Sequence, residues 1–356
     1  MIINISKKDE QIIKKLLEVK ENNISVAEFY IDYLNNHYND ITSLNNQTFY
    51  EALKEVMEVS EDDEEFEVLN QNSNISDIKC LNPNEFLNDK YYKTIGLINA
   101  KEKDCYLYPL HYEAYEGFTY DEIKISEPYF NEFTPIGYFT KPFKYLAVIK
   151  DDLIWMSIIP HEINTMKEPI KEAFGNVLVL GLGLGYYAFH IALKDDVDKI
   201  TIIENDPLVI ALFKKHIYPK FKNKEKIHII EDDAFHHLDE HHDYDFIFSD
   251  IWHNVADGQS LYLKIKQYEK EYKNTKFSYW IETSIIAMIR RELLTIFEEE
   301  YFEGFKEKDY LKAKNENDKI INYLYFLTKE CEINSANDLI NLLKDESIKK
   351  LVSLKS

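Results

Sequence analysis

The stretch Asn176–Ala188 reads NVLVLGLGLGYYA. Three of the chain's nine glycines fall within five of its residues, at Gly181, Gly183 and Gly185. The apolar run before them, NVLVLG, has the composition of a central parallel strand buried on both faces. The run after them, YYAFHIALK, reads as a helix. A buried strand that turns through glycines straight into a helix makes a cradle. The turn needs residues that tolerate positive φ, and bare backbone lets a ligand approach the helix N-terminus. Strand-ending glycines also serve purely structural turns, but three alternating in a glycine-poor chain point to a site.

The same strand–helix alternation continues downstream. KITIIE (199–204) is a second strand, and PLVIALFKKHI a helix with Pro207 at its start. KIHIIED (226–232), YDFIFSD (244–250) and KFSYWIE (276–282) supply three more strands, each separated by helical pattern. This order predicts an α/β fold with a doubly wound, Rossmann-like sheet.

Upstream the pattern differs. ISKKDEQIIKKLLEVK places Ile12, Ile13, Leu16 and Leu17 on one helical stripe. Ser25 with Glu28 forms a capping-box signal, with Ile24 and Phe29 set as a hydrophobic staple, so a second helix is expected there. Thr48 and Glu51 repeat the signal, and the acidic run at 60–67 reads as a solvated linker. Seven of the nine prolines lie between Pro83 and Pro169, among Tyr- and Phe-rich strand-prone runs. That composition predicts a small β-rich domain. YLAVIKDDLIWMSIIP (145–160) reads as a hairpin turning at Asp151 and Asp152. The tail reads as helices with one strand at INYLYFLT. The expected organisation is an N-terminal helical segment (1–88), a β-rich domain (89–170), a Rossmann-like ligand-binding domain (171–300) and a mostly helical extension (301–356).

Composition narrows the setting. The 356 residues are 45% apolar, with no apolar run near the roughly 18–20 residues that cross a bilayer. MIINISKKDEQ lacks an apolar signal core. Cys80, Cys105 and Cys331 stand far apart, as expected for reduced thiols in a cytoplasmic protein. The net charge of −22 disfavours nucleic acid as a partner. A small-molecule substrate is expected, no membrane, and homo-oligomerisation stays open. FHHLDEHHDYD carries His236, His237, His241 and His242, yet falls where an exposed helix and loop are predicted, so no metal is assigned.

The ligand follows from glycine spacing. A dinucleotide fingerprint is GxGxxG. Here the third glycine comes one residue early, leaving Tyr186 where a dinucleotide fold places glycine. The GxGxG form resembles the class I S-adenosylmethionine-dependent methyltransferases, over about 176–285. Within that superfamily the wording is most similar to spermidine synthases, the aminopropyltransferase branch. VLVLGLGLG parallels their VLVIGGGDG, ITIIENDP their VEIDP, IHIIEDDAF their GDAF, and YDFIFSD their YDVIIxD.

The resemblance implies roles. Backbone at Gly181, Gly183 and Gly185 would pass beneath the methionine part of the cofactor. Glu204 would accept hydrogen bonds from both ribose hydroxyls, Asp233 and Ala234 would meet the adenine, and Asp250 would face the reacting centre. All end predicted parallel strands, where open α/β sheets bind ligands. Taken singly, Glu204 and Asp233 also fit helix caps, and Asp250 a turn.

Two departures weigh against aminopropyl transfer. Spermidine synthases carry an aspartate between the last two loop glycines, where this chain has Leu184. Their fourth strand continues as DSSDP, here DIWHN. Both remove charge from places where a cationic substrate needs it. The expected function is therefore an S-adenosylmethionine-dependent methyltransferase. Aminopropyl transfer and non-catalytic cofactor binding are the alternatives. Asp250 and His253 are the candidate catalytic residues, His253 as general base. Trp252 stacks on an acceptor or belongs to the core. Glu282 is a further candidate that also fits a helix start. The segment before the glycine loop is similar in place to a spermidine synthase active-site cover, which nominates His161, Glu162, Asn164 and Met166.

Overall fold

A computed structural model of the chain describes residues 1–35, 78–302 and 315–353. After a two-residue strand at Ile2–Ile3, which pairs with Glu332–Ile333, comes a single helix, α1 (Glu10–Asn35). The capping signal at Ser25 therefore lies inside a continuous helix and starts nothing. The signals at Thr48 and Glu51 and the acidic run at 60–67 lie outside the described residues. Helix α2 (Lys90–Ile95) follows, capped by Asp89, whose side chain accepts from the Tyr91 N–H.

The middle of the chain forms a four-stranded antiparallel sheet from β1 (Ala100–Glu102), β2 (Cys105–Tyr112), β3 (Phe143–Lys150) and β4 (Leu153–Ser157). The strand order is β4-β3-β2-β1. β3 and β4 are the expected hairpin. Asp151 and Asp152 sit at φ 52° and 61°, the pair of positive values that a two-residue turn matching the strand twist requires. β4 carries a register irregularity between Ile154 and Met156. A short helix α3 (Pro160–Thr165) leads from this sheet towards the glycine loop.

The second half holds β5 (Gly175–Leu180), β6 (Val197–Glu204), β7 (Ile227–Glu231), β8 (Phe246–Ser249) and β9 (Lys276–Tyr279). They form one sheet in the order β7-β6-β5-β8-β9, and every pairing is parallel. Helices α4 (Tyr186–Ala192), α5 (Pro207–His216), α6 (Ala234–Glu240), α7 (Val255–Lys266) and α8 (Glu282–Phe302) connect or follow the strands. β5 is central, and Val177, Leu178, Val179 and Leu180 are all buried, as a strand covered on both faces must be. The order reverses between β5 and β8, which opens a crevice beyond their carboxyl ends.

The tail departs from expectation at INYLYFLT, which is helical within Glu316–Thr328. Ile320, Ile321, Leu324 and Thr328 are its buried residues, a helical spacing that overrides the local β propensity of Ile and Tyr. No helix among the described residues is long and apolar enough to cross a membrane.

Candidate functional site

A cavity of about 620 Å³ lies in the crevice over the ends of β5, β6 and β8. The glycine loop forms its floor. A Cβ on Gly181 would lie 2.0 Å from the Asp250 carbonyl oxygen, so this glycine lets the ends of β5 and β8 meet. Gly185 adopts φ +73° at the start of α4, and a Cβ there would press to 2.3 Å from the Phe213 ring. Gly183 differs: an added Cβ would meet only the Met156 sulfur, at 3.7 Å, within the cavity.

Glu204 ends β6 beside this floor. One carboxylate oxygen accepts from the Leu182 N–H at 3.1 Å and the other from the Asp206 N–H at 2.9 Å. The carboxylate thus straps the loop, and each oxygen keeps a further lone pair. Burial pushes its pKa up, opposed by these backbone bonds. The cap of α5 is Asp206, which accepts from Leu208 N–H. Asp233 does cap α6: its Oδ1 accepts from the Phe235 and His236 N–H groups at 2.9 and 3.0 Å. Asp233 and Ala234 line the cavity as well, so capping and ligand contact are compatible there.

Asp250 follows β8 and Glu162 sits in the first turn of α3, and both carboxyls line the cavity. Among the described residues no hydrogen bond reaches either carboxyl. Burial, aided by the charge of Glu204, raises the Asp250 pKa to about 7. Burial, aided by the charge of Asp250, holds that of Glu162 well above the usual range. Glu204, Asp232 and Asp233 also line the cavity, and no lysine or arginine does.

The other nominated residues divide. His161 and Met166 line the cavity. Asn164 instead donates to the Tyr120 carbonyl at 2.7 Å. His161 packs edge-on against Trp280 at 6.1 Å, and burial lowers its pKa to about 4. Trp252 is buried, with Gly258 under its ring, so its role is largely packing. His253 is exposed at the mouth. Its Nδ1 lies 2.9 Å from Asp257, and its ring 4.4 Å from Trp155. Glu282 is absent from the cavity lining; it accepts from the Tyr262 hydroxyl at 2.9 Å and pairs with Lys349. In the histidine tract, His236 pairs with Asp232 and His237 bonds the Tyr244 hydroxyl. Among the described residues no group of three or more His, Cys, Asp or Glu is placed to hold a metal.

Two features escaped the sequence. Trp155 sits at the irregularity in β4, with the Lys150 ammonium 4.8 Å from its ring centre and His253 beyond. Lys150 in turn pairs with Asp206. Tyr91 of α2 donates to the Leu184 carbonyl at 2.6 Å and anchors the glycine loop from outside. Nothing local in the sequence marks either.

The spermine/spermidine synthase domain model matches residues 161–306. Among solved structures, spermidine synthase from Thermotoga maritima is similar at 18% identity and a TM-score of 0.28, covering 42% of this chain and 59% of that one. A spermidine synthase in complex with the transition-state analogue AdoDATO is similar at 17% identity and a TM-score of 0.28, covering 42% and 58%. The matched region thus spans under two thirds of either neighbour's length. No curated protein matches the chain.

The domain match corrects the methyltransferase expectation: the matched domain is that of aminopropyl transfer. The loop lacks a charge at Leu184, but α3 brings Glu162 to the same cavity as Asp250.

Proposed function

We propose that the chain is a spermidine synthase-like aminopropyltransferase, taking decarboxylated S-adenosylmethionine as donor and a small-molecule amine as acceptor. The observation that carries this reading is the acidic lining of the cavity: five Asp and Glu carboxyl groups line it and no lysine or arginine. Donor and acceptor are both cations, so such a lining favours both and repels anionic competitors. The acid-only lining and the domain match support the same reading independently.

The donor fits the residues present. Gly183 leaves the floor open to a ligand's approach. Glu204 retains acceptor capacity for two ribose hydroxyls, and Asp233 and Ala234 stand where an adenine ring would lie. The donor's sulfonium supplies the leaving group. An acceptor amine forms the new N–C bond as the C–S bond breaks, the bonding pair going to sulfur. Asp250 orients the amine and takes up its proton, since a carboxyl titrating near 7 is matched to that transfer. The cavity holds the two reactants together, where positioning does most of the work. In this reading the β-rich segment and α3 form a cover over a Rossmann-like domain.

Incubation with decarboxylated S-adenosylmethionine and 1,4-diaminobutane should yield the aminopropylated amine and methylthioadenosine, both detectable by mass spectrometry. Asp250→Asn should abolish turnover. The reading fails if methylthioadenosine does not bind and no di- or polyamine is aminopropylated.

A further inference from the structure

Helix α7 lines the cavity with Val255 and Leu261. Between them on the same helix, Gln259 is fully buried and meets Glu292 of α8, which is buried too. The Gln259 side-chain N–H donates to Glu292 Oε2. That bond leaves two acceptors over. Gln259 Oε1 and Glu292 Oε1 are both buried, and neither has a hydrogen-bond partner among the described residues. Two orphaned acceptors on a pair of groups already in contact are costly. A single proton removes both faults. A carboxylic acid has one O–H to donate, and an amide presents its C=O beside its N–H, so an acid and an amide can close a ring of two bonds.

The surroundings favour that proton. Burial is the largest influence on Glu292 and raises its pKa to about 7, against the bond from Gln259 and the charge of Arg291. Arg291 itself faces Glu132 at 3.7 Å. On the elements packed against α8, charged and titratable groups are engaged elsewhere. Lys20 of α1 pairs with Glu298, while Asp345 and Lys349 of the helix Asp345–Val352 pair with Arg290 and Glu282. On α7, Asp257 bonds His253, Lys266 pairs with Glu269, and the Lys264 ammonium lies over the Phe235 ring. On Glu316–Thr328, Lys319 pairs with Glu316 and the Tyr323 hydroxyl accepts from Gln267.

We propose that Glu292 is held as the neutral acid, donating to Gln259 Oε1, and that this acid–amide pair is a pH-sensitive clamp on the α7 wall of the cavity. When Glu292 ionises, the donor is lost and the two leftover oxygens repel. The contact that seats α7 on α8 weakens, and the wall at Val255 and Leu261 loosens with it. The pair stands apart from the proposed function, but its effect on ligand affinity rests on that reading of the cavity. The folded pKa lies above the ordinary value of 4.5. The pair's contribution to stability is therefore complete below that value and is lost as pH rises through about 7.

The test uses the full chain carrying Asp250→Asn, which removes the cavity carboxyl that also titrates at about 7. Glu292→Gln, added to this parent, supplies a permanent N–H in place of the acid proton. Infrared difference spectra between the two should show a protonated carboxyl band near pH 6 that is gone by about pH 9. Melting temperatures should agree near pH 5, and Glu292→Gln should melt higher at about pH 9. Over that interval methylthioadenosine affinity should fall by about 3- to 10-fold in the parent relative to Glu292→Gln, the scale of one hydrogen bond. Gln259→Met keeps the bulk without the amide and should move the carboxyl band to higher frequency, a readout that does not need Glu292→Gln to fold. A spectrum with no protonated carboxyl assignable to Glu292 overturns the pair, as do melting profiles that run parallel from acid to base. Affinity with the same pH profile in both proteins overturns the clamp. If methylthioadenosine binds at no pH, the proposed function is lost, and the infrared band and melting profiles decide the pair on their own.

Discussion

The Tyr91 hydroxyl donates to the Leu184 carbonyl at 2.6 Å, and the bond is buried. It ties a helix outside the parallel sheet to the one loop that must hold its shape for a ligand. Tyr91→Phe keeps the ring and leaves a buried carbonyl without this donor. The expected cost is about 1–3 kcal/mol in denaturant unfolding. Methylthioadenosine affinity should fall as well, because the loop loses its outer anchor. Unchanged affinity at reduced stability would show that the bond serves folding alone.

Asp250 gives a pH prediction with a defined sign. Its folded pKa of about 7 stands above the ordinary carboxyl value of 3.8. The folded state therefore binds the proton more tightly than the unfolded chain does. Stability is highest below the unfolded value, falls as pH rises through the interval, and reaches its full loss above pH 7. The three-unit gap corresponds to as much as about 4 kcal/mol. Asp250→Asn removes the titration. Its melting temperature should exceed that of the wild type at pH 8 and converge with it near pH 4. Parallel melting curves across that range would refute the assignment.

The parallel sheet was legible because its strands are buried on both faces, which leaves continuous apolar runs such as Val177–Leu180. The glycine loop was legible because Gly181 and Gly185 hold positive φ at close contacts. Glu204, Asp233 and Asp250 were legible because strand ends in such a sheet are where ligands sit. Glu162 could be nominated but not weighed, since its relation to Asp250 depends on how α3 folds back over the sheet. The helix at Glu316–Thr328 was not legible because aromatic and β-branched residues mimic a strand until their burial is known. Ser25 misled for the opposite reason: a capping sequence inside a helix is overridden when the residues on both sides remain helical.

Glu204 is both strap and proposed ribose ligand, so its substitutions should separate the two roles. Glu204→Ala removes the acceptors for the Leu182 and Asp206 N–H groups. It should lower stability and also weaken methylthioadenosine binding by about 1–3 kcal/mol. Glu204→Gln keeps one carbonyl oxygen and should fold better, but its amide cannot accept from two hydroxyls. Calorimetry on the two variants checks this. Full nucleoside affinity in Glu204→Gln would remove the ribose assignment.

The three loop glycines should fail in different ways. Gly185→Ala places a Cβ 2.3 Å from the Phe213 ring at φ +73°, where both strain and clash act within the core. It should cost several kcal/mol, of the size expected for overpacking added to an unfavourable backbone. Gly181→Ala meets the Asp250 backbone oxygen at 2.0 Å, so β5 and β8 would have to part, with a similar result. Gly183→Ala meets only the Met156 sulfur at 3.7 Å, and its φ of +54° costs about 1–2 kcal/mol. That variant should fold with a modestly lowered melting temperature and yet lose methylthioadenosine binding, because its methyl group occupies ligand space. A Gly183→Ala protein that binds the nucleoside normally would show that the ligand does not pass over this loop.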